Sequence, residues 1–462
     1  MAETSPVAAL GDRYQQTVAA FVREHRLPGA VAGVVHGDGL VWSGGAGLAD
    51  VEAGRSPDAT TLYRIASITK TFTATAIMQL RDEGKLHLDD PAVMYLPELR
   101  RAASPFGLIE TVTIRRLLSH ESGLMGDPPD ADWTRDVYES SPAVNLARAD
   151  EIATRLPPNA QQKYSNLGYQ LLGEIVARVA GVPYVDHVRT QILEPLGMTS
   201  TAFPPLSDAL AARAAVGYRG RWMSDVPVPA RRLRTFPSAE GGLWSCVDDV
   251  GRWIVAQFLE DGGDRSGAQV LAGASLREMH QPRYLGDDAW TEAYGIGWYG
   301  RRRAETVWLM HSGGLPGFST NACYRVPEKV GAIALLNGVA PPADLSMALA
   351  ELALEAARAA ASMSPPTPLP EVFADLLGLY GDAEDGILVR IEWRDNRLTM
   401  VDPDDPDWKA VFTPTGEPDR FTVDPGMRQS GDPVIFHRGA DGRVHAVTMG
   451  PFSLSRFEPV AG

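Results

Sequence analysis

One segment divides this chain of 462 residues: Ser362-Met-Ser-Pro-Pro-Thr-Pro-Leu-Pro370. Four prolines in nine residues remove backbone donors and favour extended polyproline structure, so neither a helix nor an interior strand continues through it. The chain on each side must therefore close its own core. Beyond the linker, short β-branched and aromatic runs alternate with turn signals. Ile387–Trp393 and Arg397–Val401 flank Asp395-Asn396, Val434–Arg438 and Val444–Met449 flank Gly439-Ala-Asp-Gly442, and Phe452–Phe457 follows. Residues 371–462 read as a small all-β barrel or half-barrel.

The pattern before the linker is mixed. Tyr14, Val18, Phe21 and Val22 give Asp12–His25 one apolar helical face, closed by Leu27-Pro28-Gly29. Val31–Val35 and Leu40–Gly44 form a hairpin around Asp38-Gly39. Further helices are predicted at Ala66–Gly84, Thr113–Leu118, Gly168–Ala180, Cys246–Glu260 and Pro342–Ala361, and strands at Val307–His311, Thr320–Val326 and Gly331–Asn337. The Pro- and Arg-rich stretch 200–240 reads as loops; with 125–145 it is expected to shape a pocket. The expectation is an α+β fold in residues 1–361, an antiparallel sheet flanked by helices with the N-terminal hairpin joined to the C-terminal strands. The linker 362–370 and the β domain 371–462 follow.

Composition narrows the function. A net charge of −15 repels phosphate backbones and anionic lipid, so neither nucleic acid nor membrane is expected as a partner. No apolar run approaches the ~18 residues of a membrane span, and the N-terminus shows no leader pattern; the expectation is a cytoplasmic protein. Two cysteines, Cys246 and Cys323, make neither a disulfide scaffold nor a four-thiolate site, and no His-Glu-x-x-His occurs among nine histidines. No metal or cofactor is expected.

The chain has five lysines, Lys70, Lys85, Lys163, Lys329 and Lys409, so a motif that needs lysine has few places to be. In Ser67-Ile-Thr-Lys70 the lysine lies one helical turn beyond the serine, on the same face. In a closed pocket its ammonium form is disfavoured, and the amine becomes a candidate base for the hydroxyl. A plain helix cap followed by a solvated lysine is the alternative. Against it stands Thr71-Phe-Thr-Ala-Thr-Ala-Ile-Met78, a helical stretch without charge that asks to be buried all round. In Tyr164-Ser165-Asn166, positions i and i+2 of an extended tripeptide face the same way. Tyr164 beside an ammonium would have a lowered pKa and shuttle protons, and Asn166 could hold a substrate amide; a core tyrosine and a capping asparagine are the alternative. His311-Ser-Gly-Gly314 ends a strand whose N–H could serve an oxyanion, or is simply a loop.

Taken together, the motifs resemble one family. Tyr63-Arg-Ile-Ala-Ser-Ile-Thr-Lys70, Leu117-Leu-Ser-His-Glu-Ser-Gly-Leu124, Tyr164-Ser-Asn-Leu-Gly-Tyr169, Glu240-Gly-Gly-Leu-Trp-Ser245, Tyr294-Gly-Ile-Gly-Trp298 and His311-Ser-Gly-Gly-Leu-Pro-Gly317 occur in the order found in penicillin-recognising serine hydrolases. That superfamily holds the class C β-lactamases, D-aminopeptidases, DD-peptidases and related carboxylesterases, and the resemblance covers about residues 8–360. It implies an all-helical subdomain beside the sheet. It also implies Ser67 as acylated nucleophile, Lys70 as its base, Tyr164 as proton relay and Asn166 as substrate-orienting group. The oxyanion hole would come from the N–H groups of Ser67 and Gly314, next to Gly313. His120 is read as structural. His311 stands where β-lactamases and DD-peptidases usually carry lysine; as a group mostly neutral at pH 7.5 it puts efficient β-lactam turnover in doubt. The C-terminal β domain resembles the lipocalin-like appendage of some peptidase members and of thioesterases that cyclise peptides.

These resemblances imply a serine hydrolase acting on an ester, small amide or peptide. An acyltransferase or peptide cyclase with an amine acceptor is the alternative within enzymes, and a catalytically weak penicillin-binding sensor the alternative outside them. A homo-oligomer is compatible with all three. An α/β-hydrolase is excluded, since no Gly-x-Ser-x-Gly occurs.

Overall fold

The computed structural model describes residues 5–457, except 129–130, 132–141, 220–228, 230–237, 260–264, 266, 268, 364–367, 383, 385, 406–407 and 425–429. Much of the two loops expected to shape a pocket lies outside the described residues. The chain divides into two compact units, Met1–Ala361 and Ser362–Gly462.

The first unit contains, in chain order, helix α1 (Gly11–Glu24), strands β1 (Gly29–His36), β2 (Gly39–Gly47) and β3 (Tyr63–Arg64), and helices α2 (Thr69–Asp82) and α3 (Ile114–Leu118). Helices α4 (Pro142–Ala147), α5 (Asn166–Ala180), α6 (Tyr184–Val188) and α7 (Asp208–Ala211) follow, then strand β4 (Trp244–Ser245) and helices α8 (Val247–Gln257) and α9 (Gly273–His280). It ends with strands β5 (Tyr284–Leu285), β6 (Glu292–Tyr294), β7 (Tyr299–Arg303), β8 (Thr306–Leu315), β9 (Phe318–Arg325) and β10 (Val330–Leu336), and helix α10 (Pro342–Met363).

Eight strands make one antiparallel sheet in the order β2-β1-β10-β9-β8-β7-β6-β5. The N-terminal hairpin does join the C-terminal strands, with Ala30 opposite Leu336 and His36 opposite Val330. Alternate residues of a strand serve opposite faces, and here both faces are covered. Ala30, Ala32 and Val34 pack with Tyr14, Val18 and Phe21 of α1 and with Leu345 and Leu349 of α10. Val31 and Val35 belong to the other core, with Phe72 and Ile77 of α2 and Trp253 of α8. Burial on both sides explains why β1 and β10 read as unbroken apolar runs instead of alternating ones.

Strands β5, β6 and β7 were not legible in the sequence. Tyr299-Gly-Arg-Arg-Arg303 has no apolar alternation, because none of its residues is buried. Helix α10 runs to Met363, two residues into the segment expected to be linker.

The second unit is a closed barrel of β11 (Gly378–Asp382), β12 (Ile387–Arg394), β13 (Arg397–Val401), β14 (Lys409–Pro414), β15 (Arg420–Val423), β16 (Pro433–Arg438), β17 (Val444–Met449) and β18 (Phe452–Phe457), paired in chain order. Leu379 opposite Phe457 closes the ring, so the half-barrel alternative falls. Tyr380, Ile391, Met400, Phe412, Phe421 and Phe436 are among the buried side chains that fill its core, as in small barrels whose lumen is just wide enough for side chains. Strands β11, β14 and β15 escaped sequence reading; at four to six residues each their alternation is too short to stand out from turns. No helix among the described residues is long and apolar enough to cross a membrane.

Candidate active site

Between β3 and α2 the chain makes a 3₁₀ turn, Ala66–Ile68. Ala66 sits at φ +46°, a left-handed conformation that costs a non-glycine residue energy and survives only where packing dictates it. The turn lifts Ser67 outward. From Ile65 to Leu80, Ser67 is the one residue that is not buried. The uncharged helix behind it is sealed as expected, and its threonines find carbonyl acceptors. Thr71 donates to the Ile68 carbonyl at 2.8 Å, Thr73 to the Ala239 carbonyl at 2.6 Å and Thr75 to the Thr71 carbonyl at 3.0 Å. Ser67 is not the cap: the 3₁₀ turn starts from Ile65 and α2 from Ile68, and Ser67 lies between them.

Lys70 is wholly buried. Its Nζ lies 3.2 Å from Ser67 Oγ, 2.8 Å from Asn166 Oδ1 and 2.7 Å from the Glu240 carbonyl oxygen. The last two partners can only accept, and a neutral amine has two N–H bonds to give them. Its lone pair then faces the Ser67 hydroxyl. Burial pulls the Lys70 pKa down, against the opposing pull of Glu240 and Asp127. The arrangement can take a proton from Ser67 without rearranging.

Tyr164 and Asn166 both lie against Lys70. The Tyr164 ring lies 4.8 Å from Lys70 Nζ, and Tyr169 lies 5.6 Å away on a further side. Asn166 also donates through Nδ2 to Asp127 Oδ1 at 2.8 Å, which fixes which end of the amide meets the lysine. Helix α5 begins at Asn166, and its cap is Ser165, whose Oγ accepts the Gly168 N–H at 2.9 Å. Asn166 is thus free of capping duty. One expectation is corrected. The Tyr164 pKa is raised, not lowered: although the residue is 41% exposed, desolvation of its hydroxyl in the site dominates, Glu240 and Asp127 add to it, and only a hydrogen bond with Ser67 opposes. A lysine driven toward neutrality offers no cation to stabilise a phenolate, so the phenol keeps its proton.

His120 stacks on Tyr164 with ring centroids 4.3 Å apart and contacts Tyr169 and Tyr294. Its Nδ1 accepts the Ser165 N–H at 3.1 Å. Burial first, then Lys70 and His311, holds its pKa well below the usual histidine value. It is a buried brace for the Tyr164 segment.

His311, on β8, is buried as well. Its Nδ1 donates to the Ser312 carbonyl at 2.7 Å, so in the neutral ring Nε2 accepts, and the Tyr294 hydroxyl lies 3.2 Å from it. Burial and the nearby Lys70 lower its pKa to about 3. The neutrality expected from its ordinary pKa is thereby deepened, and both ring nitrogens are engaged inside the protein.

Gly313 and Gly314 play different parts. A Cβ on Gly313 would lie 2.1 Å from the Ile65 carbonyl oxygen and 2.5 Å from Thr320 Oγ1. The absent side chain is what lets β8 lie against the Ser67 turn, which Thr320 pins by donating to the Ile65 carbonyl at 3.1 Å. A Cβ on Gly314 would meet nothing within 4 Å. Gly313→Ala is therefore expected to push β8 and the Ser67 turn apart. Turnover should fall about a hundredfold, as misplacement by an ångström does, with a lower thermal midpoint. Gly314→Ala should leave the midpoint unchanged, and paired melting curves and rates check both.

Two carboxylates beside Lys70, Asp127 and Glu240, were missed. Glu240 begins the Glu240-Gly-Gly-Leu-Trp-Ser245 motif, but a glutamate before two glycines announces no partner. Asp127 precedes two prolines and read as loop.

The chain is similar to several known proteins. An uncharacterized protein of Mycobacterium tuberculosis, MT1414, is 34% identical over 277 residues, which are 56% of this chain and 68% of that one. The octameric penicillin-binding protein homologue from Pyrococcus abyssi shares the fold across both units, with TM-score 0.63, 23% identity and coverage of 96% of this chain and 99% of that one. A D-stereospecific amidohydrolase from Streptomyces sp. matches with TM-score 0.59 and 24% identity, over 75% of this chain and 98% of that one. The family model described as Beta-lactamase matches residues 14–357, a span that takes in the serine turn, the Tyr164 segment and the β8 glycines. The chain belongs to the Beta-lactamase family.

Proposed function

We propose that this protein is a serine hydrolase that works through an acyl-Ser67 intermediate on an ester or a small amide or peptide. The observation that carries the reading is the sealed Lys70 amine 3.2 Å from Ser67 Oγ, with a pKa lowered by burial. As Oγ bonds to the substrate carbonyl carbon, its proton passes to Lys70 and the carbonyl electron pair moves onto oxygen. The N–H groups of Ser67 and Gly314 would hold that oxyanion. On collapse the C=O re-forms and the leaving group departs with the Tyr164 proton, which Lys70 then replaces. Water repeats the sequence on the acyl-enzyme, and the acid is released.

His311 bears on the substrate. A neutral imidazole with both nitrogens engaged gives no cation to a substrate carboxylate, so uncharged esters and amides are the expected class, and β-lactams the poor one. The amidohydrolase relationship adds D-amino-acid amides to the panel. The test is nitrophenol release from a short-chain p-nitrophenyl ester, D-amino-acid amide hydrolysis and nitrocefin opening, with intact mass on quenched enzyme. Ester or amide turnover with an acyl adduct on the Ser67 peptide is expected. An adduct elsewhere, or neither adduct nor turnover with any of the three, would overturn the reading.

A further inference from the structure

The Glu240 side chain is a buried carboxyl for which the acyl-transfer scheme has no use. It is 4% exposed. Oε1 accepts from Gln170 Nε2 at 2.9 Å, and Gln170 Oε1 accepts in turn from Asn145 Nδ2 at 2.5 Å. Both amides are buried too, so a polar chain runs through an apolar core, where such groups are costly unless paired. Oε2 completes no hydrogen bond, although the Ser238 hydroxyl approaches the carboxyl. The same residue's backbone carbonyl takes the shortest of the three Lys70 bonds. Thus one residue grips the amine with its main chain and keeps an incompletely satisfied carboxyl beside it.

We propose that Glu240 is a positioning residue for Lys70: the Asn145–Gln170 chain anchors its side chain, so that its carbonyl holds the amine toward Ser67 and its negative charge governs when the amine gives up its proton. This rests on Lys70 being the base for Ser67. The other titratable groups facing the amine are Asp127, reached through Asn166, the phenols Tyr164 and Tyr169, and the neutral rings of His120 and His311. Of these, Asp127 is the other carboxylate, and it is only half-buried. Charge buried in a low-dielectric pocket acts more strongly than charge near solvent. Burial raises the Glu240 pKa, opposed by the Gln170 N–H and by Lys70; in its ionised form Glu240 favours the ammonium, so it raises the basicity that burial lowers and stabilises the ammonium formed when Ser67 is deprotonated.

The sign of the test follows. In Glu240→Gln the shape and the Gln170 contact can persist but the charge is gone. Lys70 then loses its proton at lower pH, and the acid limb of the kcat/KM profile on a p-nitrophenyl ester moves down by about one pH unit. The plateau falls about three- to tenfold, because the amine is a weaker base. Gln170→Met keeps the carboxyl but removes a donor to its charged form, and should move the limb the same way by less. Melting curves on both variants check that the fold persists. A plateau that falls in both with the limb unmoved would make the chain structural and overturn the proposal; so would profiles that coincide with wild type. Failure of the Lys70 reading shows separately, as Lys70→Ala retaining wild-type turnover.

Discussion

Ser67→Ala is expected to lower ester turnover by about 10⁴-fold or more, roughly 5 kcal/mol of barrier, the scale seen when the nucleophile of a concerted constellation is removed. The acyl adduct should vanish with it. The fold should not change. Ser67 is the half-buried residue of its helix entry, and its Oγ lies against Lys70, whose other two bonds, to Asn166 and Glu240, remain. The φ +46° of Ala66 is dictated by the packing of Gly313 and Thr320 on Ile65, not by the serine side chain. A thermal midpoint within a few degrees of wild type alongside lost turnover identifies the nucleophile. Wild-type-like hydrolysis by the alanine variant would mean that the chemistry lies elsewhere.

Lys70→Ala comes next in size, with an expected loss of about 10³-fold in kcat/KM, within the range carried by a positioned general base. Two further readings separate a base from a structural filler. Added small primary amines should restore part of the rate by occupying the vacated space, with an efficiency that rises with amine basicity. Lys70→Arg should not restore it, because a guanidinium stays protonated and cannot take the Ser67 proton. In the wild type, activity is present while Lys70 is neutral and is lost as pH falls through its lowered pKa. That acid limb should be absent from the amine-rescued alanine variant, which would instead follow the titration of the added amine. Full rate in Lys70→Arg would refute the base assignment.

How much of this was legible follows the range of the interactions. The Ser67–Lys70 pair is local: a spacing of three on a helix places both side chains on one face wherever the helix lies. The uncharged stretch from Thr71 to Met78 announced burial, and all of it is buried. The unbroken apolar runs of β1 and β10 announced strands, and Pro365 to Pro370 announced the break before the barrel. The short strands were less legible. Tyr299–Arg303 is charged and none of its residues is buried, and Arg420–Val423 is four residues long.

The sequence by itself determined the two-unit organisation, the sheet, the buried helix and the serine and lysine it carries, because periodicity and spacing act over a few residues. Tertiary structure alone decided the chemistry of that pair. Asn166 and Glu240 are 96 and 170 positions from Lys70, and only folding brings them to its amine. Whether Lys70 is an ammonium or a base, whether Tyr164 holds its proton, and whether His311 faces a substrate or a neighbouring tyrosine depend on desolvation and on charges from distant segments. Those fields belong to the assembled interior and have no counterpart in local spacing.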